Sequence, residues 1–231
     1  GKSKSKLHKI ESLVTFINLF DIIYIKKIKA INHKIYFKGK FSKGISSKNT
    51  ISKLLDILDT KKNLNNQKFE IKIIKNIPQE SGMGGGSMNV ASLINYFLKN
   101  KIISVNKKNL LYIINSISSD ILLGINKNNT ILSSNGNVTR FKKRLDYYVL
   151  VVKPNFGCST KLIYSAVKKF SRSKYNIPKS SLFNEKDILN ANNDLENVAF
   201  KKYPKLKKII FFISNMPNII FARMTGSGSS I

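Results

Sequence analysis

The sequence predicts an α+β fold, and three neighbouring stretches carry that prediction. Phe69, Ile71 and Ile73 alternate with Lys68, Glu70 and Lys72, the two-residue period of a half-buried strand. Val90, Leu93, Ile94, Phe97 and Leu98 fall at i, i+3, i+4, i+7 and i+8, one face of an amphipathic helix. Between them residues 77–91 read I-P-Q-E-S-G-M-G-G-G-S-M-N-V-A, a glycine-rich turn from strand to helix. Glycines there admit positive φ and close backbone approach, and the unpaired N–H groups at the helix start point at whatever occupies the loop. A phosphate is the natural occupant; a tight turn before a core helix fits the same residues.

The flanking elements follow the same reading. Residues 21–28 and 34–41, rich in Ile, Tyr and Phe, read as strands, with His33 solvated in the turn between them. Asn49 or Thr50 caps a helix in which Ile51, Leu54, Leu55 and Leu58 share a face. Leu110, Leu111, Ile113, Ile114 and Ile117 mark a helix that ends at Ser118-Ser119-Asp120. Asp120 lies between two apolar segments, and two roles suit it: a buried cap or turn former, or a general base. A strand follows around residues 130–133, then a turn at Asn135-Gly136. The apolar run 147–152 reads as a buried strand that Pro154 and Gly157 terminate. Ser159 or Thr160 caps a helix carrying Leu162, Ile163, Val167 and Phe170. Residues 192–196 open a further helix as an Asn or Asp cap, 206–213 are apolar, and 219–224 read as a strand. The chain closes on T-G-S-G-S-S-I, either a second small-residue loop or a flexible tail.

Composition narrows the function. At 231 residues, 42% hydrophobic, the chain can bury the core of one large domain or two small ones. No apolar run approaches the length of a membrane span, and no apolar region follows the charged N-terminus, so a cytoplasmic location is expected, without a membrane partner. The single cysteine, Cys158, forms no internal disulfide and no metal-ligand pattern. The net charge of +29 raises the question of nucleic acid. The lysines, however, run through every segment instead of forming one stripe interleaved with aromatics, so no specific nucleic-acid partner is expected.

Two phosphate motifs fail on the glycine loop. The P-loop requires Lys and then Ser or Thr after its last glycine, whereas Gly86 is followed by Ser87 and Met88; the dinucleotide fingerprint places its third glycine on Ser87. What stands at 78–91, P-x(3)-G-x-G-G-G-S-x-N-x-A, resembles the ATP loop of the GHMP small-molecule kinases, which phosphorylate galactose, homoserine, mevalonate and related alcohols. Four further segments resemble one family among them, the 4-diphosphocytidyl-2-C-methyl-D-erythritol kinases: the stretch around His8, Ser118-Ser119-Asp120, Asn193-Asp194-Leu195-Glu196, and residues 224–229.

The resemblance implies a GHMP-kinase fold, a ribosomal protein S5 domain 2-like N-terminal half (1–146) and a ferredoxin-like C-terminal half (147–231). It implies ATP and Mg2+, a cytidyl small-molecule substrate phosphorylated on its 2-hydroxyl, and a monomer or homodimer. Pro78, Gln79, Glu80, Ser81, Gly82, Met83, Gly84, Gly85, Gly86, Ser87 and Met88 would embrace the ATP phosphates, with Ser87 at the metal and Asn49 near the adenine. Asp120 would be the catalytic base. His8 would hydrogen-bond the cytosine, Tyr164 would stack on it with Thr160 nearby, and Gly226 and Ser227 would approach from the other side. The family opens with a strand carrying Pro-Ala-Lys and continues past the last glycine motif, so the resemblance implies a fragment lacking both ends and its catalytic Lys, expected to lack activity as given. Leu7, Met88 and Leu122 stand where the family has an aromatic residue, Ser and Pro. A kinase of the homoserine or mevalonate type and a basic nucleic-acid-binding module are the alternatives.

Overall fold

The structure, a computed structural model, describes residues 10–143 and 145–231. His8 and Leu7 lie outside the described residues. The described residues divide into two compact units: one comprises residues 18–78 and 84–127, the other residues 10–17, 79–83 and the described part of 128–231.

The first unit is a three-stranded sheet backed by helices. Strands β2 (Ile22–Ile28), β3 (Lys34–Lys38) and β4 (Lys68–Ile74) take the order β2-β4-β3, with β2 antiparallel and β3 parallel to β4. Alternation sets the faces: Phe69, Ile71 and Ile73 are buried against α1 (Thr50–Thr60), α2 (Gly85–Lys99) and α3 (Lys107–Ile117). Leu54, Leu55 and Leu58 of α1 meet Leu93, Ile94 and Phe97 of α2 in that core, and Ile113 and Ile114 of α3 complete it. Each helix start has a sequence cause. Asn49 and Ser52 form a reciprocal capping box on α1, and the Asn106 side chain accepts from Asn109 N at 2.9 Å on α3. Strand β3 stops at Lys38, short of the expected residue 41, because Gly39 turns the chain at φ +93°. His33 is not solvated in its turn: its side chain is 9% exposed, Nε2 donates to Asp59 (3.1 Å), and Nδ1 accepts from Phe69 N (3.0 Å).

In the second unit β1 (Ser12–Val14), β5 (Asn129–Leu132) and β6 (Val138–Phe141) form an antiparallel sheet of order β1-β5-β6, the last two joined through a turn with Gly136 at φ +85°. Four short helices follow, α5 (Thr160–Ser165), α6 (Glu185–Asn190), α7 (Glu196–Lys202) and α8 (Pro204–Ser214). Pro204 opens α8 at its first turn, where a missing N–H costs nothing. Cys158, Ile163, Ala199, Leu206 and Met224 make this unit's core.

Three expectations need correction here. Residues 147–152 form no strand: only Val152 finds a ladder partner, exchanging two hydrogen bonds with Ile231 (2.9 and 3.0 Å), and Tyr147, Tyr148, Val149 and Leu150 stay exposed. An apolar run becomes a strand only where another strand satisfies its backbone. Residues 219–224 likewise form no strand; Ile220 and Phe221 are exposed and Met224 alone is buried. Helix α5 ends at Ser165, so Val167 and Phe170 fall beyond it. No described helix is long and apolar enough to cross a membrane.

Candidate active site

The glycine stretch is divided between the units, Gln79–Met83 belonging to one and Gly84 onward to the other. On the helical side, Gly84 occupies the N-cap of α2 in a left-handed conformation (φ +66°), no side chain caps the helix, and its first turn carries no acidic residue. The first-turn N–H groups and the positive end of the helix dipole are therefore uncommitted to side chains, the arrangement that suits a phosphate. Gly85 and Gly86 let this turn sit close to its neighbours. A Cβ on Gly85 would lie 2.9 Å from Ile77 Cγ2, and one on Gly86 3.4 Å from Thr50 Oγ1, which donates to the Gly86 carbonyl at 3.3 Å.

A polar chain runs from this helix to the candidate base. The hydroxyl of Ser87, in the first turn of α2, donates to Ser118 Oγ (3.2 Å), and Asp120 N donates to the same oxygen (3.3 Å). Ser118 is the extended residue that ends α3, and Asp120 stands at the N-cap of α4 (Ile121–Gly124). The Asp120 side chain makes no capping bond, so the turn-former role that the sequence left open does not account for it. The residue is open to solvent while protein crowds the carboxyl itself, and that desolvation raises its pKa above the ordinary aspartate value. Met88 packs its thioether on α4: a Cβ on Gly124 would meet Met88 Sδ at 2.7 Å.

Asn49 is committed as a cap. Its Oδ1 accepts from Ile51 N (2.9 Å) and Ser52 N (3.1 Å), while its amide donates to the Ser46 and Ser47 carbonyls. Beside it opens a pocket of about 470 Å³ lined by Lys48, Thr50, Lys53, Asp56 and Ile117.

In the other unit the last small-residue loop is fastened, and the flexible-tail reading is corrected. Ser229 N and Ser230 N donate to the Glu80 and Ser81 carbonyls (3.2 and 3.1 Å), and Thr225 Oγ1 donates to the Gly82 carbonyl (3.3 Å). Gly82 is required there, since a Cβ would lie 2.1 Å from Thr225 O. Thr160 Oγ1 and Ser227 Oγ share a hydrogen bond of 2.8 Å, and Tyr164 is half-buried on α5. Asn193 and Asp194, read from the sequence as helix caps, do not cap α7, whose N-cap is Leu195 with no side-chain bond; Asn193 instead ties down this loop. Its amide donates to the carbonyls of Met224 and Gly226 (both 2.7 Å), while its oxygen accepts from Leu195 N (3.0 Å). Glu196 accepts from Met224 N (2.7 Å), and burial raises its pKa. These roles escaped the sequence because the partners lie some thirty positions away.

Among the described residues no group of three or more His, Cys, Asp or Glu side chains gathers for a metal. At the start of α2 the Ser87 hydroxyl offers an oxygen that a cation could use, while the N–H groups beside it are donors that suit phosphate.

Residues 49–129 match the family model described as the GHMP kinases N terminal domain. The chain is 56% identical over 228 residues to a 4-diphosphocytidyl-2-C-methyl-D-erythritol kinase of Pelagibacter ubique, covering 99% of this chain and 81% of the relative. It is 30% identical over 242 residues to the protein of that name in Petrotoga mobilis, covering 91% of it. In fold it resembles a solved 4-(cytidine 5'-diphospho)-2C-methyl-D-erythritol kinase, with a TM-score of 0.67 at 20% identity over 99% of this chain and 82% of the other. The chain therefore belongs to the 4-diphosphocytidyl-2-C-methyl-D-erythritol kinase family of GHMP kinases.

Proposed function

We propose that this chain transfers the γ-phosphoryl group of ATP to the 2-hydroxyl of 4-diphosphocytidyl-2-C-methyl-D-erythritol, a step of the non-mevalonate isoprenoid route. The observation that carries the mechanism is the Ser87–Ser118–Asp120 chain, which ties the uncapped first turn of α2 to the backbone N–H of Asp120, whose crowded carboxyl has a raised pKa. Phosphoryl transfer asks for positioning and charge neutralisation more than covalent work. The N–H groups at the start of α2, with the turn from Pro78 to Met88, hold the phosphates, and Asn49 with its adjoining pocket flanks the adenine. Asp120 takes the proton of the acceptor hydroxyl as its oxygen bonds to the γ-phosphorus and the bond to ADP breaks. Mg2+, when bound, neutralises phosphate charge, and the Ser87 hydroxyl would hold it.

Thr160, Tyr164, Gly226 and Ser227 contribute to the cytidyl side, and His8 reads the cytosine edge. The protein works in the cytoplasm as a monomer or homodimer on small molecules, without a specific nucleic-acid partner. The test is ATP turnover by the natural protein with the cytidyl substrate, beside Asp120→Asn and with homoserine and mevalonate as controls. Turnover confined to the cytidyl acceptor and lost in Asp120→Asn is expected. Phosphorylation of homoserine or mevalonate instead would overturn the substrate, and full activity of Asp120→Asn would overturn the base.

A further inference from the structure

The most heavily bonded carboxylate beside the glycine loop is Asp21, which the sequence offers only as the first residue of a strand. Its side chain is fully buried and accepts from four donors. Oδ1 takes the backbone N–H groups of Asn76 (2.7 Å) and Ile77 (2.9 Å). Oδ2 takes the Asn89 amide (2.8 Å) and pairs with the ammonium of Lys75, itself 5% exposed. A buried carboxylate persists only where donors replace its water, and here they come from two parts of the chain, residues 75–77 and Asn89. Lys75 directly follows β4, Asn76 and Ile77 lead into the glycine stretch, and Asn89 is the fifth residue of α2.

The first turn of α2 rests on those same residues. A Cβ on Gly85 would lie 2.9 Å from Ile77 Cγ2 and 3.5 Å from Lys75 Nζ, so a shift of Ile77 or Lys75 moves the floor under the turn. Asn89 fixes the same helix from inside, being 5% exposed and bonded to Asp21. We infer that Asp21 is a positioning residue for the reaction: through Asn89 and the backbone at Asn76 and Ile77 it sets where the N–H groups of the first turn of α2 point. This rests on the reading that those groups hold the ATP phosphates.

Asn89→Ala tests it, because Asp21 keeps its two backbone donors and its ion pair in that variant. The natural protein and the variant are compared by melting temperature, by ATP binding in a calorimeter, and by kinetics with ATP and the acceptor varied separately. The expected result is a folded variant whose ATP Kd and KM rise about tenfold, the scale of one lost hydrogen bond, with the acceptor KM unchanged. Asp21→Asn, which keeps one oxygen for the two backbone donors but turns an amide toward Lys75 and Asn89, should widen the same split. ATP Kd and KM at natural values in Asn89→Ala would overturn the inference, as would equal changes in both KM values or a collapse of folding. A natural protein that binds ATP yet transfers nothing removes the proposed function, while the Kd comparison still decides the positioning role.

Discussion

Asp120 stands at the N-cap of α4 without capping it, which separates its contribution to catalysis from its contribution to folding. Removing a positioned base costs about 10²- to 10⁴-fold in rate, so Asp120→Asn should lose turnover on that scale. Its folded pKa is raised, so ionising the carboxyl is harder in the folded chain than in the unfolded one. The substitution should therefore leave the melting temperature at neutral pH unchanged or slightly higher; a marked fall would return Asp120 to a structural role. The same shift gives the pH profile a sign. The working form is the carboxylate, so activity climbs as pH rises through the folded pKa, and kcat/KM against pH should show its acid limb above the ordinary aspartate range. Asp120 was legible because a lone carboxylate between two apolar segments asks for an explanation. Asp21 was not, since its side-chain partners Lys75 and Asn89 stand 54 and 68 positions away and its local setting is that of any strand beginning.

Elements that carry their own boundaries were readable. Helices α1 and α5 begin at Asn49 and Ser159, each with the side-chain cap the sequence offers there, and α1, α2 and α3 announce their buried faces by periodicity, though the Asn106 cap of α3 went unread. Strands made by distant partners were not: β1 is three residues long and owes its existence to β5, more than a hundred residues later, while the apolar run 147–152 gains a distant partner at Val152 and forms no strand. The last glycine loop shows how such fastening is tested. Asn193→Ala removes the donor shared by the Met224 and Gly226 carbonyls and should lower stability by about 1–3 kcal/mol, measured by denaturant titration, with hydrogen exchange speeding first in residues 224–230. Unchanged exchange there would mean that the remaining ties suffice. His33 gives the first unit a pH response. Burial lowers its pKa below 6.5, more strongly than the opposing Asp59 raises it. A depressed histidine contributes stability that is full above the unfolded value and is lost as pH falls through the folded one. Protonation would also set a ring N–H against Phe69 N–H. The melting temperature should therefore fall as pH drops below the ordinary histidine value, and His33→Gln should flatten that fall; a parallel decline in the variant would assign it to other groups.

At the scale of the whole molecule the glycine motif at 78–91 was legible as a single string, yet the folded chain shares it between two compact units. Nothing local marks that division, because the pairing of residues 12–14 with 130–132 draws the N-terminal segment into the later unit. The net charge of +29 is a property of the same scale, and it gives the nucleic-acid alternative a quantitative test. A polycation binds duplexes by displacing counterions, with log K falling by about 0.9 per phosphate contacted for each unit of log salt. Contacts to six to ten phosphates would cost about 10³- to 10⁵-fold between 50 and 200 mM salt. ATP held by a few directed N–H bonds at a helix start should lose far less over that range. Titrating duplexes of scrambled sequence and, separately, ATP at both salt concentrations should show steep, sequence-indifferent DNA binding beside nearly constant ATP affinity, the same in Asp120→Asn as in the natural protein. DNA binding that discriminated between sequences or survived 200 mM salt would instead mean that the lysines serve recognition as well as bulk charge.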